Sequence, residues 1–320
     1  MFRALSLPPG FSERDVQLRD VRLHFVEGPR PSSDAPALVC VPGQSMSRLS
    51  YLKVLPALAR DFHVFALDVR GHGLSEHTPG RYSFSRCGQD LVDFIDDVVG
   101  RAALVTGNSS GGVIAMWAAA HAAERVRAVH AEDPPLFTTE WPRLRDDTWV
   151  HGFFEHTVRT LPDLATYFRT LTIPSQGKVK LMSFPRPLAW LLGGAIQRRQ
   201  ARAPGAPVDI AWLPLHVRLF VRGLSEYDVD FTRACVDGRI CDMDQQVDLQ
   251  RVRCPMTLIR AWSFRHPQLG LVGAMGDEDV ALARRLKPDL VVEEVEKPHV
   301  VHIADPARWL TSIRALHARC

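Results

Sequence analysis

The sequence predicts an α/β protein with a mostly parallel central sheet, helices on both faces and an inserted helical cap. Three observations carry this expectation. Up to residue 135, short apolar runs suited to buried strands alternate with segments of helical spacing; from Leu136 to about Asp244 the strand runs vanish; from Met256 they return. The chain is therefore expected to divide into a sheet core at 1–135 and 246–320, with a helical cap at 136–245. With 320 residues, 46% hydrophobic and 23% charged, it can bury a large core and has no disordered or fibrous character.

The elements follow in order. Val21 to Glu27 reads as an early strand, and Ala37 to Val41 (ALVCV) as a buried one that stops at Pro42-Gly43. Leu52, Leu55 and Leu58 recur at helical spacing, which predicts a crossover helix over Leu49 to Arg60. His63 to Leu67 repeats the buried-strand pattern. Ser83 to Val99 predicts a second helix, with Leu91, Phe94, Ile95 and Val98 on one side. Ala102 to Thr106 is the next strand; Val113 to Ala123, apolar all round, is a helix buried against the sheet; Val126 to His130 is a further strand. After the insertion, Met256 to Ile259 and Leu290 to Val295 complete the sheet, and Pro306 to Ala318 closes the chain as a helix.

Charge excludes some functions. Lys plus Arg number 39 against 36 Asp plus Glu, and a net charge of +3 carries no signature of nucleic-acid binding. Pro187 to Ile196 is about half of the roughly 20 apolar residues a membrane span needs, so stable insertion is not expected. The first ten residues lack the apolar stretch of a secretory leader, and the six cysteines show no CxxC pairing, which fits reduced thiols in a cytoplasm. No metal or organic cofactor is implied, and a homodimer stays open.

The chemistry concentrates at Gly107-Asn108-Ser109-Ser110-Gly111, which fits G-x-S-x-G between a predicted strand and a predicted buried helix. A sharp strand-to-helix turn strains the serine backbone, so the residues two positions either side must lack side chains. Asn108 stands where Ser110 would need a glycine, which leaves Ser109 as the elbow residue. The helix opening at Ser110 aims free N–H groups at a developing oxyanion, so the Ser110 backbone is one donor. The turn Pro42-Gly43-Gln44-Ser45 should supply the second, from the Gln44 N–H.

Together with Asp68-Val69-Arg70-Gly71-His72-Gly73-Leu74-Ser75, the turn Val41-Pro42-Gly43-Gln44 and the elbow resemble the α/β-hydrolase superfamily, in its serine hydrolase branch with a helical cap. Pro42 departs from the histidine that family members usually carry before the glycine. The resemblance covers the first 135 residues closely and fades in the cap.

A serine hydroxyl needs a histidine to take its proton. Lys297-Pro298-His299-Val300-Val301-His302 follows the last strand, and the resemblance implies His299 as that base, with His302 the alternative. Other histidines, His63, His72 and His130 among them, read as satisfied or solvated side chains. For the acid, relatives usually place an aspartate just after the strand at Met256, but Trp262-Ser263-Phe264-Arg265 stands there. A subset supplies it at the end of the sixth strand, where Asp133 matches; Glu132, Asp277 and Asp279 remain alternatives, with Asp279 also suiting a helix start.

The resemblance thus implies a hydrolase acting on a small-molecule carboxylic ester or lactone with an apolar body, through an acyl-enzyme on Ser109. The Ser-Ser-Gly elbow with a carboxylate after strand six is also similar to that of lactone-opening hydrolases of resorcylic macrolides. An aspartate nucleophile would imply epoxide or haloalkane chemistry, against which Ser109 argues. The alternatives are a carbon–carbon bond hydrolase, which shares Gly-Asn-Ser at the elbow, and a hydrolase-fold protein that binds a ligand with little turnover. Cap residues such as Trp149, Phe153, Phe154, Tyr167, Phe168, Leu181, Met182, Phe184, Trp190, Trp212 and Leu213 either line an apolar pocket or form the cap's own core. Trp190 to Arg202, an apolar run joined to arginines, reads as a solvated helix end, with a membrane-surface role as the alternative.

Overall fold

A computed structural model describes residues 5–172 and 185–320. Leu181, Met182 and Phe184, expected in the cap, lie outside the described residues. Among the described residues the strands are β1 (Ser12–Gln17), β2 (Arg22–Glu27), β3 (Ala37–Val41), β4 (His63–Leu67), β5 (Ala103–Asn108), β6 (Val126–Glu132), β7 (Met256–Arg260), β8 (Phe264–His266), β9 (Gly270–Val272) and β10 (Val291–Glu294). Eight of them form one sheet in the order β1-β2-β4-β3-β5-β6-β7-β10, while β8 and β9 form a separate hairpin. From β4 to β10 across the sheet the pairings are parallel; β1, β2 and β4 pair antiparallel at one edge.

Strand alternation sorts the apolar residues into two layers. Val39, Val41, Phe65, Leu67 and Val105 face a core that includes Leu91, Phe94, Val113 and Met116, from helices α2 (Phe84–Phe94) and α3 (Ser110–His121). Leu38, Cys40, Val64, Ala66 and Leu104 face the other core, with Leu55 and Leu58 of α1 (Leu55–Leu58) and residues of the chain's last helix. The period-two pattern of the strands is thus read out as two covered faces. As expected, α3 is buried on nearly every side, because it packs on the sheet and beneath α2, where Gly88 admits the Trp117 ring.

Between β6 and β7 the described residues carry helices and no sheet strand: α4 (Arg143–Asp146), α5 (Trp149–Thr160), α6 (Leu164–Thr170), α7 (Arg186–Arg202), α8 (Leu215–Ser225), α9 (Val229–Val236) and α10 (Gln245–Arg251). Tyr167 and Phe168 are fully buried in this helical insertion, whereas Trp190 is 63% exposed. The chain ends with α11 (Asp277–Leu286), α12 (Val301–Ala304) and α13 (Pro306–His317). No helix among the described residues is long and apolar enough to cross a membrane.

Two local expectations are corrected. The single helix over Leu49 to Arg60 is a 3₁₀ segment, Arg48–Lys53, followed by the short α1, because Pro56 lacks the N–H that a continuous helix would need there. The helix from Ser83 keeps its start, with Ser83 Oγ accepting from Arg86 N, but its last turn, Ile95–Val99, widens to π geometry before Gly100 at φ 68°. The segment after β7 contains the β8–β9 hairpin.

Candidate active site

Sheet register brings the expected residues to one edge. Val41 pairs with Gly107, Asn108 with Glu132, and Glu132 with Ile259, so β3, β5, β6 and β7 end side by side. The turns that follow them therefore share one rim, as ligand-binding turns do in open parallel sheets.

At that rim Ser109 has φ 53° and ψ −124°, outside the regular wells. A Cβ on Gly107 would stand 2.1 Å from Gly111 O, and one on Gly111 2.3 Å from Val41 O, so the tight turn demands both glycines. The Ser109 N–H donates to Glu132 O at 2.8 Å, which fastens the elbow to the neighbouring strand. Ser110 opens α3, with its N–H in the unpaired first turn. A Cβ on Gly43 would come 3.0 Å from Ser109 Cβ, so the Pro42-Gly43-Gln44 turn presses directly on the elbow. The Gln44 side chain is tied down: its Nε2 donates to Thr232 Oγ1 of α9 at 2.9 Å, and Cys235 Sγ donates to its Oε1 at 3.6 Å.

Of the four acids and two histidines named from the sequence, Asp133 and Glu132 each pair with one histidine. Asp133, 1% exposed and at φ 46°, takes the Ala261 N–H at 2.8 Å on Oδ1 and faces His299 Nδ1 at 2.5 Å with Oδ2. Its own N–H donates to Ile259 O at 2.7 Å. Asp133, just past β6, is thus tied to the residue after β7 and faces His299. The His299 ring keeps 42% accessibility although protein encloses its Nδ1 side. Burial opposes charge on the ring, but the Asp133 carboxylate, helped by Glu132, outweighs it and raises the pKa above the ordinary histidine value.

Glu132 and His302 pair out of solvent, Oε2 to Nδ1 at 2.7 Å, both fully buried. Asp277 binds Arg260 at 2.6 Å, and Asp279 is held by Arg143 at 2.5 Å and takes the Gly276 N–H at 2.8 Å as a helix-start residue. Both alternatives are therefore occupied away from His299. Asn108, read from the sequence only as part of the elbow motif, links the parts: its Nδ2 donates to His299 O at 3.2 Å and Glu132 O at 3.4 Å. Among the described residues no hydrogen bond joins Ser109 Oγ to His299. Of the histidines expected to be satisfied, His63 meets Glu27 and His130 meets Thr106 and Ser312, while His72 bonds Arg70 O and leaves Nε2 unpaired.

The model of the alpha/beta hydrolase fold family matches residues 36–212, more than half of the chain. The chain belongs to the α/β-hydrolase fold family. Epoxide hydrolase A of Mycobacterium tuberculosis is 35% identical over 127 residues, 39% of either chain. N-formylmaleamate deformylase of Pseudomonas putida is 29% identical over 123 residues, 38% of this chain and 45% of the deformylase. The chain thus spans less than half the length of these relatives. Among solved structures, the enol-lactonase from Burkholderia xenovorans LB400 superposes with a TM-score of 0.65 at 18% identity, covering 95% of this chain and 100% of that one. At that identity the likeness concerns the fold.

Proposed function

We propose that this α/β-hydrolase-fold protein is a serine hydrolase that cleaves a carboxylic ester or lactone with an apolar body through an acyl-enzyme on Ser109. The observation that carries the proposal is the 2.5 Å contact between Asp133 and His299 Nδ1, at the rim where Ser109 sits strained and outward. In this reading Asp133 fixes the tautomer with hydrogen on Nδ1, leaving Nε2 to take the Ser109 proton. The serine oxygen then attacks the carbonyl carbon, and the Ser110 and Gln44 N–H groups receive the oxyanion. The imidazolium returns its proton to the leaving oxygen, and water repeats the sequence to release the acid. The helical insertion serves as the cap, and its apolar residues favour an apolar acyl or alcohol part. The relatives named for epoxide chemistry do not extend that activity here, since a serine stands at the elbow.

A chromogenic ester tests this. A burst of one equivalent of alcohol, followed by slower turnover, is expected from the wild type, with Asp133→Asn reducing turnover by up to about 10⁴-fold. Because His299 acts when neutral and its pKa is raised, activity should fall as pH drops through a value above the usual ~6.5. Full turnover in Asp133→Asn would contradict the reading.

A further inference from the structure

The Glu132 side chain at the rim is fully buried and charged yet makes no contact with the groups proposed to react. Burying a carboxylate costs stability unless every lone pair is matched, and an apolar residue would serve a core better. Here three N–H donors meet the two oxygens. Oε1 accepts the His302 N–H at 2.9 Å, and Oε2 accepts from His302 Nδ1 at 2.7 Å and Trp309 Nε1 at 2.9 Å. His302 lies in α12, which begins two residues after His299, and Trp309 lies in α13. The main chain of the same residue holds the other two parts: Glu132 O accepts the Ser109 N–H at 2.8 Å, and the chain continues directly into Asp133.

We propose that Glu132 is a positioning residue for the reaction at Ser109, its side chain fixing the His299-bearing loop against the strand end whose backbone fixes Ser109 and Asp133. This rests on the serine-hydrolase reading above. The groups facing Glu132 are His130 of β6, Cys40 of β3, Tyr51 of the Arg48–Lys53 segment, stacked on the His302 ring at 4.5 Å, and His302 and Trp309. Those around His299 are Asp133 and Glu132; neighbouring Lys297 pairs with Asp305 at 3.3 Å. Burial pushes the Glu132 carboxyl up, but His302 outweighs it and keeps it below the usual carboxylate range, so the residue also places a negative charge behind His299.

Two consequences separate positioning from mere support. Glu132→Gln turns one acceptor into a donor facing N–H groups, which loosens α12, and it removes the charge that helps raise the His299 pKa. The rate of labelling by a fluorophosphonate, followed against pH, reads both without knowledge of the substrate. Expected are a plateau rate at least about tenfold lower in Glu132→Gln, since small misplacement of a reacting group costs up to about a hundredfold, and an acid limb moved to lower pH. Trp309→Phe keeps the charge and removes one donor, so its plateau should fall by a smaller factor with the limb unmoved. A wild-type plateau and limb in Glu132→Gln would overturn the inference; if that variant does not fold, a wild-type plateau in Trp309→Phe would do so. An unlabelled wild type would instead sink the reading at Ser109, and this inference with it.

Discussion

Ser109 carries its strain in the backbone. Its φ of 53° with ψ −124° costs on the order of 1–3 kcal/mol for a residue with a side chain. Ser109→Gly relieves that strain and adds about 0.5–1 kcal/mol of backbone freedom to the unfolded chain. The net expectation is a gain of roughly 1 kcal/mol in unfolding free energy by urea titration, with all labelling lost. The elbow was legible in sequence because sterics leave no choice at Gly107 and Gly111. For the proposed acid and base the sequence left alternatives: Glu132, Asp277 and Asp279 beside Asp133, and His302 beside His299. Successive strand residues point to opposite faces, so Glu132 turns into the core toward Trp309 while Asp133, past the strand end, turns to the rim. No single-residue property separates them; the register of β6 against β7 does.

At the scale of elements, continuous apolar runs gave β3 and β4 with their observed ends, since buried parallel strands are apolar on both faces. β1 escaped because its six residues, SERDVQ, are almost wholly exposed at the sheet edge and show no alternation. The β8–β9 strands are three residues each, too short for a periodic signal. Asn108 escaped for another reason: its link to His299 spans 191 positions of sequence and depends on the sheet being assembled. The side-chain clasp of Gln44 on α9 escaped because Thr232 lies 188 positions away in sequence. Gln44→Ala frees the turn proposed to offer the second oxyanion N–H, and a fall in turnover of about tenfold with little change in melting temperature is expected, smaller than the ~10²–10³ for deleting a donor outright.

For the whole molecule, the segment Asp68 to Ser75 is a structural knot. Asp68 accepts from Arg48 Nη1 at 2.6 Å and from the Arg48 and Leu74 N–H groups, and fully buried Arg70 grips Asp90 at 2.5 and 2.6 Å. The helical insertion is anchored to the same stretch, through Asp228 N to Gly71 O at 2.8 Å and Tyr82 Oη to Asp228 Oδ2 at 2.5 Å. Arg70→Met leaves Asp90 buried and unpaired, so a loss of about 3–5 kcal/mol is expected in urea unfolding. The central claim, an activated nucleophile at Ser109, is tested most directly by intact-mass spectrometry after fluorophosphonate treatment of wild type, Ser109→Ala and His299→Ala. One adduct on wild type, none on Ser109→Ala and slow formation on His299→Ala is the expected result; no adduct on folded wild type, or an adduct that persists in Ser109→Ala, would contradict it.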